Sequence, residues 1–148
     1  MKKWLPVLIM LAGLGNSISA AQYVIVDCIV QKKLVVPRVK GQVFDATGVP
    51  VPDTVISLKQ GENQELIATT DSQGRFDFKV QSGPYNLKAS HLGFESTTAE
   101  LEVGRDLLSL FHPTALRVIL SLPGFNCPWV TTSNKEFKEL AHIHATQK

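Results

Sequence analysis

From residue 39 onward, apolar side chains recur at alternate positions in short runs separated by glycine, proline and small polar residues. This is the period of half-buried strands. The run VKGQVFD puts Val39, Gly41 and Val43 on one face, and DATGVPVPD after it is too rich in glycine and proline to hold a ladder, so it reads as a loop. TVISLKQ pairs Ile56 with Leu58; GENQE turns the chain and LIATTD returns it. At DSQG, Asp71 can accept backbone N–H bonds where a tight hairpin connection begins, and Gly74 can take positive φ where it ends. RFDFKV then sends Phe76, Phe78 and Val80 inward, with Arg75, Asp77 and Lys79 outward. A second bend at QSGP leads into YNLKAS, where Tyr85, Leu87 and Ala89 share a face. Three strands and two bends predict a meander whose apolar face is covered by a second sheet.

STTAELEV offers Leu101 and Val103 to that second layer, TALRVILSL offers Leu116, Val118 and Leu120, and YVIVDCIV is apolar enough for both its faces to be covered. The expected fold class is all-β: an antiparallel β-sandwich of about seven strands over residues 39–122, with Val43, Ile56, Leu58, Phe76, Phe78, Tyr85, Leu87 and Val118 in the core. Helical spacing occurs late in the chain. Ser133 and Glu136 stand at capping-box distance, and Phe137, Leu140, Ala141 and His144 follow on one side, predicting a short C-terminal helix.

The first residues follow a different rule. MKKWLPVLIMLAGLGNSISAAQ places two lysines, an apolar run and then small polar residues in the order of a secretory signal peptide, with cleavage expected after Ala21 or Ala20. Pro6, Gly13 and Gly15 interrupt the apolar run, which falls short of the roughly 20 residues a bilayer needs. The organisation expected is a leader at 1–21, an N-terminal extension strand at 22–38, the sandwich at 39–122 and a C-terminal extension at 123–148. The product is secreted or periplasmic and has no membrane insertion once the leader is gone. Removing Lys2 and Lys3 takes the 15 basic residues down to 13, level with the 13 acidic ones. A net basic patch for nucleic acid is therefore not expected. The two cysteines, Cys28 and Cys127, form an even pair in an exported chain and are expected to be bonded.

Several spaced motifs together carry a resemblance. Gly41 opens a strand; Asp45 to Pro52 fit D-x-x-G-x-P-V-P with Gly48, Pro50 and Pro52; Thr70, Asp71, Gly74 and Phe76 fit T-D-x-x-G-x-F; and Gly83, Tyr85, Leu87 and Ala89 fit G-x-Y-x-L-x-A. Over residues 39–120 the chain resembles carboxypeptidase regulatory-like domains, small sandwiches similar in architecture to transthyretin. The resemblance implies an accessory or binding module. Asp53 departs from the pattern, where the family usually has glycine; aspartate tolerates the left-handed conformation better than most residues.

The residues for catalysis are sparse. Hydroxyisourate hydrolases share the transthyretin-like fold but carry Y-R-G-S where this chain ends HIHATQK. Intradiol dioxygenases hold iron with two tyrosines and two histidines, and beyond the leader this chain has only Tyr23 and Tyr85. His91 and His112 stand singly, and His142 with His144 is two nitrogen ligands, too few for a closed zinc site. Asp45 and Asp71 read as turn formers. Catalytic residues, metal and cofactor are therefore all expected to be none. Two classes remain. One is a non-enzymatic module for a protein, a glycan or another envelope component, contacted through Phe94, Phe111, Phe125 and Trp129. The other is a small hydrolase-type enzyme with a site assembled from loops.

Overall fold

A computed structural model describes residues 33–62, 64–104, 114–124 and 127–145. The first sheet contains β1 (Leu34–Val36), β3 (Val55–Gln60), β4 (Gln64–Thr69), β6 (Gly83–Ser90) and β7 (Thr97–Val103), in the order β1-β7-β6-β3-β4. The second contains β2 (Val39–Phe44), β5 (Arg75–Phe78), β8 (Leu116–Ile119) and β9 (Trp129–Thr131), in the order β5-β2-β8-β9, and a helix, α1 (Asn134–Ala145), follows. The sheets stack through their apolar faces. Every residue expected in the core is there, and Val39, Ala89, Ala99, Leu101, Leu116 and Val130 join it.

Seven of these strands fall between residues 39 and 122, with β1 before and β9 after that stretch. The sheets are mixed, however. β1 runs parallel to β7, and β2 runs parallel to β8 with Gly41 opposite Leu116 and Val43 opposite Val118. Alternation reports which face a side chain takes and is blind to strand direction.

The expected meander is not formed. β5 leaves the sheet of its neighbours β4 and β6 and pairs antiparallel with β2, while β6 lies between β3 and β7. The turn at 71–74 is therefore a corner between sheets. A strand facing inward from either sheet shows the same pattern, so hydrophobicity cannot choose between them. Close approach favours β2: a Cβ on Gly41 would lie 2.7 Å from Phe76 and 2.4 Å from the Leu116 carbonyl oxygen, so only glycine lets β5 and β8 flank this strand.

The corner itself is built as its sequence suggests. Asp71 Oδ1 accepts the N–H groups of Gln73 (2.9 Å) and Arg75 (2.8 Å), and Gly74 has φ +69°. Beneath it, buried Thr54 and Thr70 both donate hydroxyls to the Val51 carbonyl, and the Thr70 hydroxyl accepts the Thr54 N–H at 2.9 Å. Asp45 closes the preceding loop by accepting from the N–H groups of Thr47 and Val49, each at 2.9 Å.

α1 covers the outer face of the four-stranded sheet. Ser133 caps it, its Oγ accepting the Glu136 N–H at 3.3 Å. Phe137 packs on Phe44 with ring centroids 4.6 Å apart, and the Arg117 guanidinium lies 4.9 Å from the centre of the Phe137 ring. Among the described residues, no helix is long and apolar enough to cross a membrane.

Candidate functional site

The outer face of the five-stranded sheet carries no helix among the described residues, and its outward side chains form a shallow trough of about 420 Å³. Four consecutive neighbours build it, and register sets their order. One row across the strands reads Glu65, Lys59, Asn86, Glu100; the next reads Ile67, Ser57, Lys88, Thr98. The floor is rigid, because the alternate residues Leu58, Leu87 and Ala99 are buried in the core beneath it.

The polar groups of the trough are unevenly satisfied. The Ser57 hydroxyl donates to Glu65, engaging that carboxylate within the sheet surface. Glu102, one position beyond the trough on β7, is taken by Lys33 at 2.6 Å. Among the described residues, neither Lys59 nor Lys88 has an ion-pair partner. Lys59 nevertheless stands opposite Glu65 and Lys88 diagonal to Glu100, so the charges of the face balance, with Asn86 and Thr98 able to donate and accept beside them. Ile67, 66% exposed and opposite Ser57, stands beside the trough on β4. Such a surface can hold a hydroxyl-rich chain by many weak bonds. Among the described residues, no group of three His, Cys, Asp or Glu side chains converges to hold a metal.

The residues singled out from sequence are distributed differently. Phe94 is half-buried, packs against the core and meets His91 edge-on at 5.5 Å. Trp129 sits on β9 and donates its Nε1–H to Glu136 of α1 at 3.2 Å. The two rings thus serve separate structural contacts. Phe111, Phe125 and His112 lie outside the described residues, as do Tyr23 and the whole stretch 1–32 with the expected leader and Cys28. Cys127, half-buried ahead of β9, is not a free thiol. His142 and His144 fall within α1.

A second crevice, of about 470 Å³, opens between β4 and the end of β5, lined by Leu66, Val80, Gln81 and Tyr85. The Tyr85 hydroxyl donates to the Gln81 carbonyl at 3.1 Å, which satisfies the polar end of a core tyrosine and leaves the crevice mainly structural. The trough residues were absent from the sequence reading. Their only signal was the outward phase of four strands, and assembling them requires the register.

No curated protein matches the chain. Among solved structures it is similar to 5-hydroxyisourate hydrolase of Klebsiella pneumoniae, at 18% identity over 64% of this chain and 96% of that one, with a TM-score of 0.47. It is also similar to 3-chlorocatechol 1,2-dioxygenase from Rhodococcus opacus (14% identity, 60% of this chain, TM-score 0.39) and to catechol 1,2-dioxygenase from Acinetobacter (12%, 58%, 0.36). The matches span 62% and 43% of those two dioxygenases. The sequence pattern of one family matches residues 38–109, the stretch in which Gly41, the Asp45–Pro52 loop, the Asp71 corner and the Tyr85 strand were found. That family is the carboxypeptidase regulatory-like domain, to which those residues are similar.

Proposed function

We propose that this chain is an exported, non-catalytic β-sandwich module that binds a hydroxyl-rich ligand, a glycan or glycan-bearing envelope component, on the outer face of its five-stranded sheet. The observation that carries the reading is the trough itself. Polar side chains from four adjacent strands line one open depression over a packed floor, two lysines and two glutamates among them. The family resemblance supports the accessory role. Export is supported by the leader pattern at 1–21, and a bond between Cys28 and Cys127 belongs to the same proposal. The ligand contacts proposed are those of the trough; of the aromatic set, Phe111 and Phe125 lie outside the described residues.

The test uses the leader-free protein on an immobilised glycan panel, beside Asn86→Arg and Thr98→Arg, which fill the trough from exposed positions and are expected to keep the melting temperature. The expected result is retention by at least one glycan and loss of retention in both variants. Retention that is indifferent to both substitutions, or no retention anywhere on the panel, overturns the reading. Export is checked separately by intact mass: the exported protein is expected to begin at Ala21 or Gln22.

A further inference from the structure

We propose that the open edge of β4 pairs with β4 of a second copy of this chain, antiparallel about a two-fold axis at Ile67, joining two five-stranded sheets into one. Among the described residues four strands lie at sheet edges: β1 and β4 in one sheet, β5 and β9 in the other. An edge presents unpaired N–H and C=O groups, and short length, proline and outward charge are the usual means of blunting it. Three of these edges are blunted. β1 and β9 have three residues each, with Pro37 directly after the first and Pro128 directly before the second. β5 has four, with Arg75 and Asp77 outward. β4 has six residues, QELIAT, with no proline and no basic side chain, and its outward Ile67 is 66% exposed.

The ladder shows which backbone groups stand free. The Thr70 N–H donates to the Thr54 carbonyl at 2.9 Å, which makes Thr54 and Thr70 a hydrogen-bonded pair. Such pairs alternate along an antiparallel ladder, so in the unbroken register from Val55 opposite Thr69 to Gln60 opposite Gln64, Leu66 and Ala68 turn their backbone groups to β3. Those of Glu65, Ile67 and Thr69 face the open edge. A second β4 with Ile67 opposite its own copy engages all three, since Glu65 then faces Thr69 on either side of the axis, for up to about six backbone bonds. A shift of two residues drops one of the three from the ladder, and a shift of one turns the second sandwich over. The same register matches side chains on both faces. Outside, the two Ile67 side chains meet with Cα atoms about 5.5 Å apart, and the two Glu65 carboxylates stay roughly 13 Å apart along the strands. Inside, half-buried Leu66 faces Ala68, and both already pack against the core. Self-complementarity of this kind is what a closed two-fold dimer requires, and it favours a second copy over an unrelated strand. The undescribed residues of the chain join it elsewhere: 1–32 lead into β1, at the opposite edge of the sheet, and 105–113 follow β7. The pairing does not depend on the binding reading above.

The experiment is sedimentation of the protein beginning at Gln22 from micromolar to millimolar concentration, with amide hydrogen exchange measured at both ends of that range. A six-residue strand pair is a small interface, at the weak end for specific contacts, so the mass is expected to rise from monomer towards dimer within the range and to stop there. Exchange at Glu65, Ile67 and Thr69 is expected to be fast in dilute solution and to slow as the dimer forms, while Leu66 and Ala68 stay slow throughout. Ile67→Lys sets two ammonium groups opposite each other on the axis, and is expected to need about tenfold more protein for the same mass, at an unchanged melting temperature. A monomer at every concentration, growth past the dimer, or a dimer indifferent to Ile67→Lys overturns the proposal. So does protection of the Glu65, Ile67 and Thr69 amides that is independent of concentration, which would mean that another part of the chain covers β4. The exchange readings come from the unsubstituted protein, so they decide the matter even where Ile67→Lys does not fold.

Discussion

At the scale of single residues, the motifs that carry the family pattern are explained by sterics and backbone hydrogen bonds. Gly41 is irreplaceable because β8 and β5 close in on it: a methyl group there would sit 2.4 Å from a carbonyl oxygen of Leu116. Gly41→Ala is expected to cost about 1–3 kcal/mol or more, read as a lowered urea midpoint. Asp53 is the converse case. It is the only residue other than glycine with positive φ among the described residues, at +55°, and left-handed backbone costs a residue with a Cβ roughly 1–2 kcal/mol. Asp53→Gly relieves that strain and loosens the unfolded chain, so the expected net is a gain of less than about 1 kcal/mol; a destabilised variant would show that the Asp53 side chain contributes something the backbone does not reveal. Asp71 adds a pH dependence. The N–H of Arg75, and after it that of Gln73, holds its carboxyl below the ordinary value of 3.8. A carboxyl lowered on folding stabilises above its unfolded pKa, and the contribution is lost as pH falls through the folded one. The gap in urea midpoint between wild type and Asp71→Ala is therefore expected to be full at pH 6 and to narrow below about pH 4. These roles were legible from the letters alone, because turn chemistry is local.

At the scale of elements, legibility depends on whether a strand has one covered face or two. β6, with Tyr85, Leu87 and Ala89 in and Asn86 and Lys88 out, read cleanly because its outer face meets water. β8 did not. Leu116 and Val118 point into the sandwich, and Ile119, facing outward, is buried as well. The row Phe44, Ile119, Trp129 on that outer face is where α1 docks, so period 2 fails there for a physical reason. The helix and its cap were visible as spacing; the face it covers was not. Glu136 joins helix to sheet by accepting from Trp129 and from Thr131, while the Thr131 hydroxyl accepts the Ser133 N–H at 3.0 Å. Phe137→Ala is expected to cost about 2 kcal/mol, roughly half the loss for a fully buried phenylalanine. The chain has two tryptophans, Trp4 in the proposed leader and Trp129, so fluorescence of a protein beginning at Gln22 reports β9 alone. A red shift in Phe137→Ala is the expected sign of a loosened helix; unchanged emission and stability would mean that α1 contributes nothing to that face.

At the scale of the whole molecule, the sandwich was legible and the partition of its strands was not. Inward phase in TVISLKQ, RFDFKV and YNLKAS is the same whichever sheet each joins, and the corner at Asp71 has the residues of a hairpin turn. Only the approach permitted by Gly41, and the tie of Thr97 Oγ1 to the Ile119 carbonyl at 3.3 Å where the two sheets meet, decide the topology. The trough follows from that partition, since Ser57, Asn86 and Thr98 become neighbours only when β3, β6 and β7 share a sheet. The proposed bond between Cys28 and Cys127 acts at this same scale, because it closes nearly the entire sandwich into one loop. In the chain-entropy model a loop of about 100 residues stabilises by up to roughly 4.7 kcal/mol, less any native strain, by restricting the unfolded chain. The position of Cys127 sharpens the expectation: it lies two residues before Trp129, so a released thiol frees the segment leading into β9, the edge strand on which α1 rests. Reductant is expected to lower the melting temperature and to shift Trp129 emission together, and a non-reducing tryptic digest of the exported protein is expected to yield the two cysteine peptides as one linked species. Two alkylatable thiols in that protein, or a melting temperature indifferent to reductant, would refute the bond.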